Sequence, residues 1–354
     1  VYSVNPQKTE SLRRLAEAAA WFEARLPIDA KWRRADIVGV TARAIDVVIE
    51  TGDAGPVTPI GINLPNDQAI RERYGSKSVS LANITEAYDQ SQPPAFRREF
   101  CWSDEEVARA EAWGAVASEV TTAIHEVLGH GSGRVAARLE GQPQLALKEQ
   151  YSALEEARAD LVALYFIAEA RIAEVGLLPA DHQAEIVQAE YEAYARNALV
   201  QLRRVRHGST LEEDHMRNRQ MIVRWLIAHT RAIDVRVREG RTFYVLSSVE
   251  AFRAGVGRLL HDVQRIKSEG DYAAARALFE SHGIHFDPEL RDEIVRRVDR
   301  LNLPSYTGFV QPRLEAVLDE SGHIVDVTVS YPQDLERQML EYSGKIQATA
   351  PAVP

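Results

Sequence analysis

The chain is poor in cysteine, since Cys101 is the only one among 354 residues. A single cysteine excludes an internal disulfide and fits a reducing compartment, so we expect a cytoplasmic protein. The sequence also lacks any apolar run near the ~18 residues of a transmembrane helix, so no membrane-spanning helix is expected. Its formal net charge is −10 at pH 7. An acidic balance of this kind argues against a nucleic-acid partner.

The sequence His-Glu-Val-Leu-Gly-His at residues 125–130 is the most informative stretch of the chain. In the HExxH zinc motif the two histidines are four residues apart and lie on one helix face. His125 and His130 are five residues apart, which places them roughly 140° apart around a regular helix, too far to share one ion. The spacing therefore predicts a local widening such as a π-helical turn, which Gly129 is best suited to accommodate. Glu126 is then the candidate general base for a water on the metal.

The alternative is an accidental pair of helical histidines beside a surface glutamate, and a third ligand argues against it. Glu155, Glu156 and Asp160 follow within an apolar-periodic run that predicts a helix. Acidic clusters on helices are usually solvated faces, but His-His-Glu is an established ligand set of catalytic zinc. We therefore predict one zinc ion bound by His125, His130 and Glu156. Glu155 and Asp160 are predicted to accept hydrogen bonds from the histidine rings.

These two motifs, HEVLGH and EEARAD, resemble the HExxGH and EExxx(E/D) pair of the dipeptidyl peptidase III family, zinc exopeptidases of the M49 type. The two motifs together are highly specific, although Asp160 replaces the more usual Glu and Ala157 replaces Cys. Weaker similarities occur in the same order along the chain, from about residue 10 to residue 330. They are Gly61–Asn66 with Ser80–Asn83, His215-Met216 and Val310–Glu315.

The resemblance implies roles for further residues. Peptide substrate would lie along Gly61–Asn66, with Asn63 and Asn66 binding it and Arg71 contacting its far end. His215 would stabilise the transition state, and Arg313 would bind the carboxyl side of the substrate. Without the resemblance, the two asparagines could equally close local turns. His215 would be read as a surface or capping histidine, and Arg313 as a solvated strand residue.

The periodicities predict a mainly α protein with a smaller β part, an α+β fold. Residues 9–27 are expected to form an amphipathic helix capped by Thr9, and a long helix should begin after the N-cap Ser103. Further helices are predicted near 149–176, 180–206, 210–231, 249–268, 270–282 and 287–300. Strand patterns occur at 44–50, 60–66, 235–238, 242–246, 308–318 and 323–331. We expect two lobes facing each other across a cleft: a helical zinc lobe of residues 9–48 and 91–305, and a β-containing substrate lobe of residues 49–90 and 306–354.

The resulting hypothesis is a zinc-dependent peptidase that releases N-terminal dipeptides from short peptides. The net negative charge suits capture of a peptide's cationic amino end. The alternatives are a non-catalytic, zinc-stabilised interaction protein, or the catalytic lobe of a fusion such as a Nudix–peptidase. In the family, a Glu-x-Tyr followed by an Asp-Pro turn holds the substrate's amino group. The chain starts at Val1, after the expected place of that motif, so we expect it to be the C-terminal part of a longer protein.

Overall fold

The structure is a computed structural model that describes residues 1–34, 41–48, 61–64, 70, 77–85, 93–302 and 313–330, with single positions 334, 337 and 340. In this part of the chain helices predominate and the sheets are small, which confirms the predicted α+β class. None of the described helices is long and apolar enough to cross a membrane. Asn66 and Arg71 lie outside the described residues.

The helices form most of the described chain. In chain order they are α1 (Pro6–Glu17), α2 (Ala19–Glu23), α3 (Pro94–Phe100), α4 (Asp104–Ile124), a π-helix (His125–Gly129), α5 (Pro143–Leu147), α6 (Tyr151–Phe166), α7 (Ala170–Glu174), α8 (Gln183–Val200), α9 (Asp214–His229), α10 (Val249–Glu269), α11 (Tyr272–His282) and α12 (Pro288–Leu301). Short 3-10 turns occur at Ala30–Trp32, Ala137–Leu139, Lys148–Gln150, Ala180–His182 and Gln201–Arg204.

The strands form three separate sheets. They are β1 (Tyr2–Val4), β2 (Thr41–Val47), β3 (Gly61–Leu64), β4 (Lys77–Leu81), β5 (Ile233–Arg238), β6 (Arg241–Leu246), β7 (Arg313–Leu318) and β8 (Ile324–Ser330). The four-stranded sheet has the order β1-β2-β4-β3, with β2 and β4 parallel and the other pairs antiparallel. The pairs β5–β6 and β7–β8 are antiparallel hairpins, as the strand patterns predict.

Helix α6 lies at the centre of the helical core. Buried residues occupy all its faces, including Leu154, Ala157, Leu161 and Leu164, each fully buried. A helix with buried residues on all its faces must be covered on every side, and α6 packs against α4, α9, α10 and the π-helix. This central position buries Glu155 of the acidic cluster and leaves Glu156 and Asp160 partly buried.

Two predictions about where helices begin and end are wrong. The first helix begins at Pro6 after the N-cap Asn5, whose side chain accepts from the Lys8 backbone N–H. Thr9 lies inside α1, and its hydroxyl donates to the carbonyl of Ala44 in β2 instead of capping the helix. The predicted helix over 149–176 is interrupted, since α6 ends at Phe166 and α7 begins at Ala170. By contrast, Ser103 caps α4 as predicted, because its side-chain oxygen accepts a hydrogen bond from the backbone N–H of Glu106.

The predicted division into two lobes remains a prediction at the level of residue boundaries. Strand β2 pairs with β1 on one side and β4 on the other, so the four-stranded sheet uses residues on both sides of the expected boundary at residue 48. The sheet has a small core of its own, formed by Ile45, Val47, Leu81 and Ile84.

Candidate metal centre

The two histidines of the motif are brought together by a π-helical turn. Residues His125–Gly129 are π-helical, and the His130 backbone N–H donates to the His125 carbonyl at 3.1 Å, five residues back. The two imidazole rings have their centroids 4.8 Å apart at an interplanar angle of 85°. The widened turn therefore replaces the roughly 140° separation of a regular helix. This confirms the local distortion predicted from the spacing.

Gly129 has a different reason to be glycine from the one the sequence suggests. Its φ is not among the positive values of the chain, so backbone freedom is not what the position requires. A Cβ built on Gly129 would lie 2.9 Å from both Cα and Cβ of Ala159 in α6, and 3.1 Å from the Ala159 carbonyl oxygen. These distances are shorter than ordinary carbon contacts of about 3.5–4.0 Å. Gly129 thus allows the π-helix to pack directly against the backbone of α6.

This close packing places Glu156 opposite both histidines. Glu156 Oε2 lies 3.3 Å from His125 Nε2 and 3.9 Å from His130 Nε2. Two ligands at about 2.0–2.1 Å from one ion, in tetrahedral geometry, are roughly 3.3–3.4 Å apart. The shorter distance matches this value, and the longer one exceeds it by about 0.5 Å. Two imidazole nitrogens and one carboxylate oxygen therefore fit a zinc ion.

The remaining ring nitrogens are engaged by the other two acids of α6. Asp160 Oδ1 lies 2.7 Å from His125 Nδ1, and Glu155 Oε1 lies 3.2 Å from His130 Nδ1. A carboxylate at Nδ1 favours the tautomer with the proton on that nitrogen, which leaves the Nε2 lone pair for a metal. Both Nε2 atoms are the ones that face Glu156.

The electrostatics of the cluster favour a positive charge at its centre. Burial lowers the pKa of His125, but hydrogen bonds with Asp160 and Glu156 outweigh it and hold this pKa well above the usual range. Burial raises the pKa of Glu156, yet its hydrogen bond with His125 and the charge of His130 bring the net pKa below the usual value. The neighbouring carboxylates thus favour positive charge on the His125 ring, and the two histidines favour the ionised form of Glu156.

Glu126 is a second carboxylate near the same histidines. Ligand atoms of His125, Glu126 and His130 all lie within 4.8 Å of one another. Because Glu126 directly follows His125, its side chain leaves the helix about 100° away from that ring. Glu156, which faces both rings from another helix, stays the predicted third ligand, and Glu126 stays the candidate base. A Cβ built on Gly61, at the start of β3, would lie 3.5 Å from Glu126 Oε1.

The other predicted site residues are placed as follows. His215, in the first turn of α9, has its Nδ1 3.7 Å from Glu156 Oε2 and a side chain that is 59% exposed, so it borders the cluster. Asn63 lies in β3, paired with Ser78 of β4. Arg313 begins β7 with an exposed side chain, and its Nε is 3.9 Å from Glu315 Oε1. The catalytic role of His215 and the substrate-binding roles of Asn63, Asn66, Arg71 and Arg313 stay predictions.

Three residues that contact the acidic cluster were not predicted from the sequence. Arg158 donates to both carboxylate oxygens of Glu155, and Lys267 of α10 lies 2.6 Å from Glu155 Oε2. Tyr194 of α8 donates its hydroxyl to Asp160 Oδ2 at 2.8 Å. Arg158 had a local signal, because it lies three residues after Glu155 on the same helix. Tyr194 and Lys267 have no such signal, because they come from distant helices.

Comparison with known proteins agrees with the fold and the motifs. Dipeptidyl peptidase 3 of Mus musculus is 27% identical over 367 residues, covering 89% of this chain and 47% of the relative. Dipeptidyl peptidase 3 of Homo sapiens is 25% identical over 390 residues, covering 94% of this chain and 51% of the relative. The structure of dipeptidyl-peptidase III from Corallococcus sp. strain EGB superposes with a TM-score of 0.69 at 23% identity, over 84% of this chain and 52% of that chain.

The fold is thus the two-lobed α+β fold of the dipeptidyl-peptidase III structures. The model of peptidase family M49 matches residues 1–144 and 138–312. The chain belongs to peptidase family M49, as the two motifs predict. It spans about half the length of the curated relatives it matches.

Proposed function

We propose that this chain carries the catalytic centre of a zinc-dependent peptidase that releases N-terminal dipeptides from short peptides. The observation that supports it most is the position of Glu156 Oε2, 3.3 Å and 3.9 Å from the Nε2 atoms of His125 and His130. These three residues would hold zinc and leave a coordination position open, which is the pattern of catalytic sites. The dipeptide specificity follows the resemblance and the names of the relatives.

The catalytic roles divide between the bound ion and the residues of the chain. When bound, zinc supplies Lewis-acid chemistry, polarising a peptide carbonyl and acidifying a water. Glu126 would accept the proton of the attacking water and deliver it to the nitrogen of the leaving peptide. His215, on the exposed side of Glu156, would donate a hydrogen bond to the oxyanion that develops on the scissile carbonyl. Asp160 and Glu155 would hold the two ligand rings in orientation.

Strand β3 offers a place for the substrate. It is at one edge of the described sheet, since its described partner is β4 alone. A peptide can pair with such an edge as an additional strand. A Cβ built on its first residue, Gly61, would lie 3.5 Å from Glu126 Oε1, so a peptide paired with β3 would pass near the candidate base. Asn63 and Asn66 would then bind substrate along this edge, with Arg71 and Arg313 contributing towards its ends.

The test is hydrolysis by the zinc-loaded chain of a dipeptidyl-arylamide with a free amino group, next to an amino-blocked twin. We expect zinc-dependent release from the free-amine substrate only. Glu126→Gln should keep its zinc and its fold but lose on the order of 10²–10⁴ in rate. Glu119→Gln is the matched control, because Glu119 lies on α4 and forms a half-exposed ion pair with Lys8.

Two outcomes would contradict the proposal. If Glu126→Gln hydrolysed the substrate at the wild-type rate, Glu126 would not be the base. If the wild-type chain bound zinc but hydrolysed neither the arylamide nor short unblocked peptides, the alternative of a non-catalytic, zinc-stabilised protein would replace it.

A further inference from the structure

The two carboxylates behind the histidines have very different surroundings, and the first of them is Glu155. Its Oε1 accepts from Arg158 Nη2 at 2.6 Å and faces His130 Nδ1 at 3.2 Å. Its Oε2 accepts from Arg158 Nε at 3.0 Å and lies 2.6 Å from Lys267 Nζ. All three charged side chains are buried, Arg158 completely. Two cations therefore share the negative charge of this one carboxylate.

Asp160, behind His125, has no such cation at short range. Its Oδ1 lies 2.7 Å from His125 Nδ1, and its Oδ2 accepts from the neutral hydroxyl of Tyr194 at 2.8 Å. Within the described part of the chain, no lysine or arginine lies within 4.0 Å of its carboxylate. Arg219 acts on Asp160 through longer-range charge only. The contact to His125 is also shorter by 0.5 Å than the 3.2 Å contact from Glu155 to His130.

The difference has a chemical consequence for the rings. A carboxylate at Nδ1 makes the imidazole a better electron donor at Nε2, and the effect grows with the negative charge the carboxylate can offer. The negative charge of Asp160 interacts mainly with the ring of His125. The negative charge of Glu155 is balanced mainly by Arg158 and Lys267. Glu155 can then orient the ring of His130 while adding little to its basicity.

We propose that Arg158 and Lys267 are positioning residues that neutralise Glu155, so that the two histidines would bind zinc unequally. His125, supported by Asp160, would be the stronger ligand, and His130 would be the weaker one. This inference rests on the proposed zinc site. It assigns to Lys267, from a helix outside both motifs, the role of lowering zinc affinity at His130.

Replacing Lys267 distinguishes two possible roles, because they predict opposite changes in zinc affinity. If Lys267 neutralises Glu155, its removal strengthens zinc binding, and if it only holds Glu155 in place, its removal weakens zinc binding. Lys267→Met keeps the length of the side chain and leaves Glu155 bound by Arg158. The freed negative charge on Glu155 would strengthen donation by His130, and the loss of a nearby cation would reduce repulsion of the ion. Both effects favour metal binding. If Lys267 only held Glu155 in place, its removal would loosen His130 and weaken binding.

The experiment is zinc affinity, measured by competition with a chromophoric chelator on the full chain, with thermal unfolding to verify the fold. We expect the zinc Kd of Lys267→Met to fall by about tenfold, the size typical of changes behind metal ligands. Lys267→Arg should keep the wild-type Kd. Arg265→Met is the matched control, since Arg265 lies on the same helix but pairs with Glu269 and Asp271 at the surface. Its Kd should not change.

A folded Lys267→Met protein with an unchanged or higher Kd overturns the inference and leaves the zinc site standing. A wild-type chain that binds no zinc overturns the proposed function and this inference with it. If Lys267→Met does not fold, proton NMR of the zinc-loaded wild type decides. The Nδ1 proton of His125, assigned by its shift in Asp160→Asn, should then resonate further downfield than that of His130. Equal or reversed positions would contradict the inference.

Discussion

Gly129→Ala is the change that most sharply tests how the π-helix and α6 form the proposed metal centre. The added Cβ would lie 2.9 Å from Cα and Cβ of Ala159, whereas carbon atoms pack at about 3.5–4.0 Å. The π-helix and α6 would have to separate by roughly 0.6 Å or more. The neighbour is backbone, so no side-chain rotation can relieve the clash. Such overpacking typically costs about 1–3 kcal/mol of unfolding free energy.

The separation would act directly on the proposed ligands, because α6 carries Glu156 while the π-helix carries His125 and ends next to His130. Zinc–ligand distances are held within about 0.2 Å, so a shift of this size should weaken zinc binding at least about tenfold. Chelator competition and thermal unfolding measure the two effects. In the matched control Gly257→Ala, the new Cβ would meet the ring of Tyr165 at 3.1 Å, and the ring can move. Wild-type zinc affinity and unfolding temperature in Gly129→Ala would refute the packing argument.

Two further predictions concern the carboxylates of Glu156 and Glu190. Glu156→Ala should lose zinc on dialysis, with an affinity at least about 10- to 100-fold weaker, and full zinc in that protein by metal analysis would remove Glu156 from the site. Glu190 is buried in α8, and burial raises its pKa from 4.5 to about 7. It therefore binds a proton in the folded state that the unfolded chain has released, so its contribution to stability is complete below pH 4.5 and is lost as pH rises through 7. Glu190→Gln should be more stable than the wild type above pH 7 by up to about 3 kcal/mol and equal to it near pH 4.5. Equal stability of the two proteins in denaturant titrations at pH 8 would contradict this assignment.

The local features of the metal centre could be predicted from sequence because their causes are local. Five-residue spacing between His125 and His130 is incompatible with a regular helix, and a π-helical turn is the simplest way to bring the rings together. Ser103 followed by Glu106 fixes where α4 begins. The hairpins follow from alternating patterns around turn residues. Each of these inferences needs only a few neighbouring residues.

Apart from the contacts that the two motifs imply, features that depend on packing between distant segments could not be predicted. Thr9 has the chemistry of an N-cap, but Asn5 followed by Pro6 is the stronger start, and the Thr9 hydroxyl is used to bind β2. The sequence predicts that Gly129 supplies backbone freedom for the π-helical turn. Its actual role is to pack against Ala159, and this contact can be predicted only when the position of α6 is known. Tyr194, 34 residues from Asp160, becomes its neighbour only after α8 packs beside the centre. No periodicity in the sequence encodes such contacts.

We propose that His125, His130 and Glu156 bind one zinc ion while Glu126 stays outside its ligand set. The most direct measurement is a crystal structure of the zinc-loaded chain, with anomalous difference maps collected above and below the zinc absorption edge. We predict one zinc peak about 2.0–2.1 Å from both Nε2 atoms and about 2.0–2.2 Å from a Glu156 oxygen. Asp160 and Glu155 should remain on the Nδ1 atoms. A peak coordinated by Glu126 in place of Glu156, or no peak between the two rings, would contradict the account.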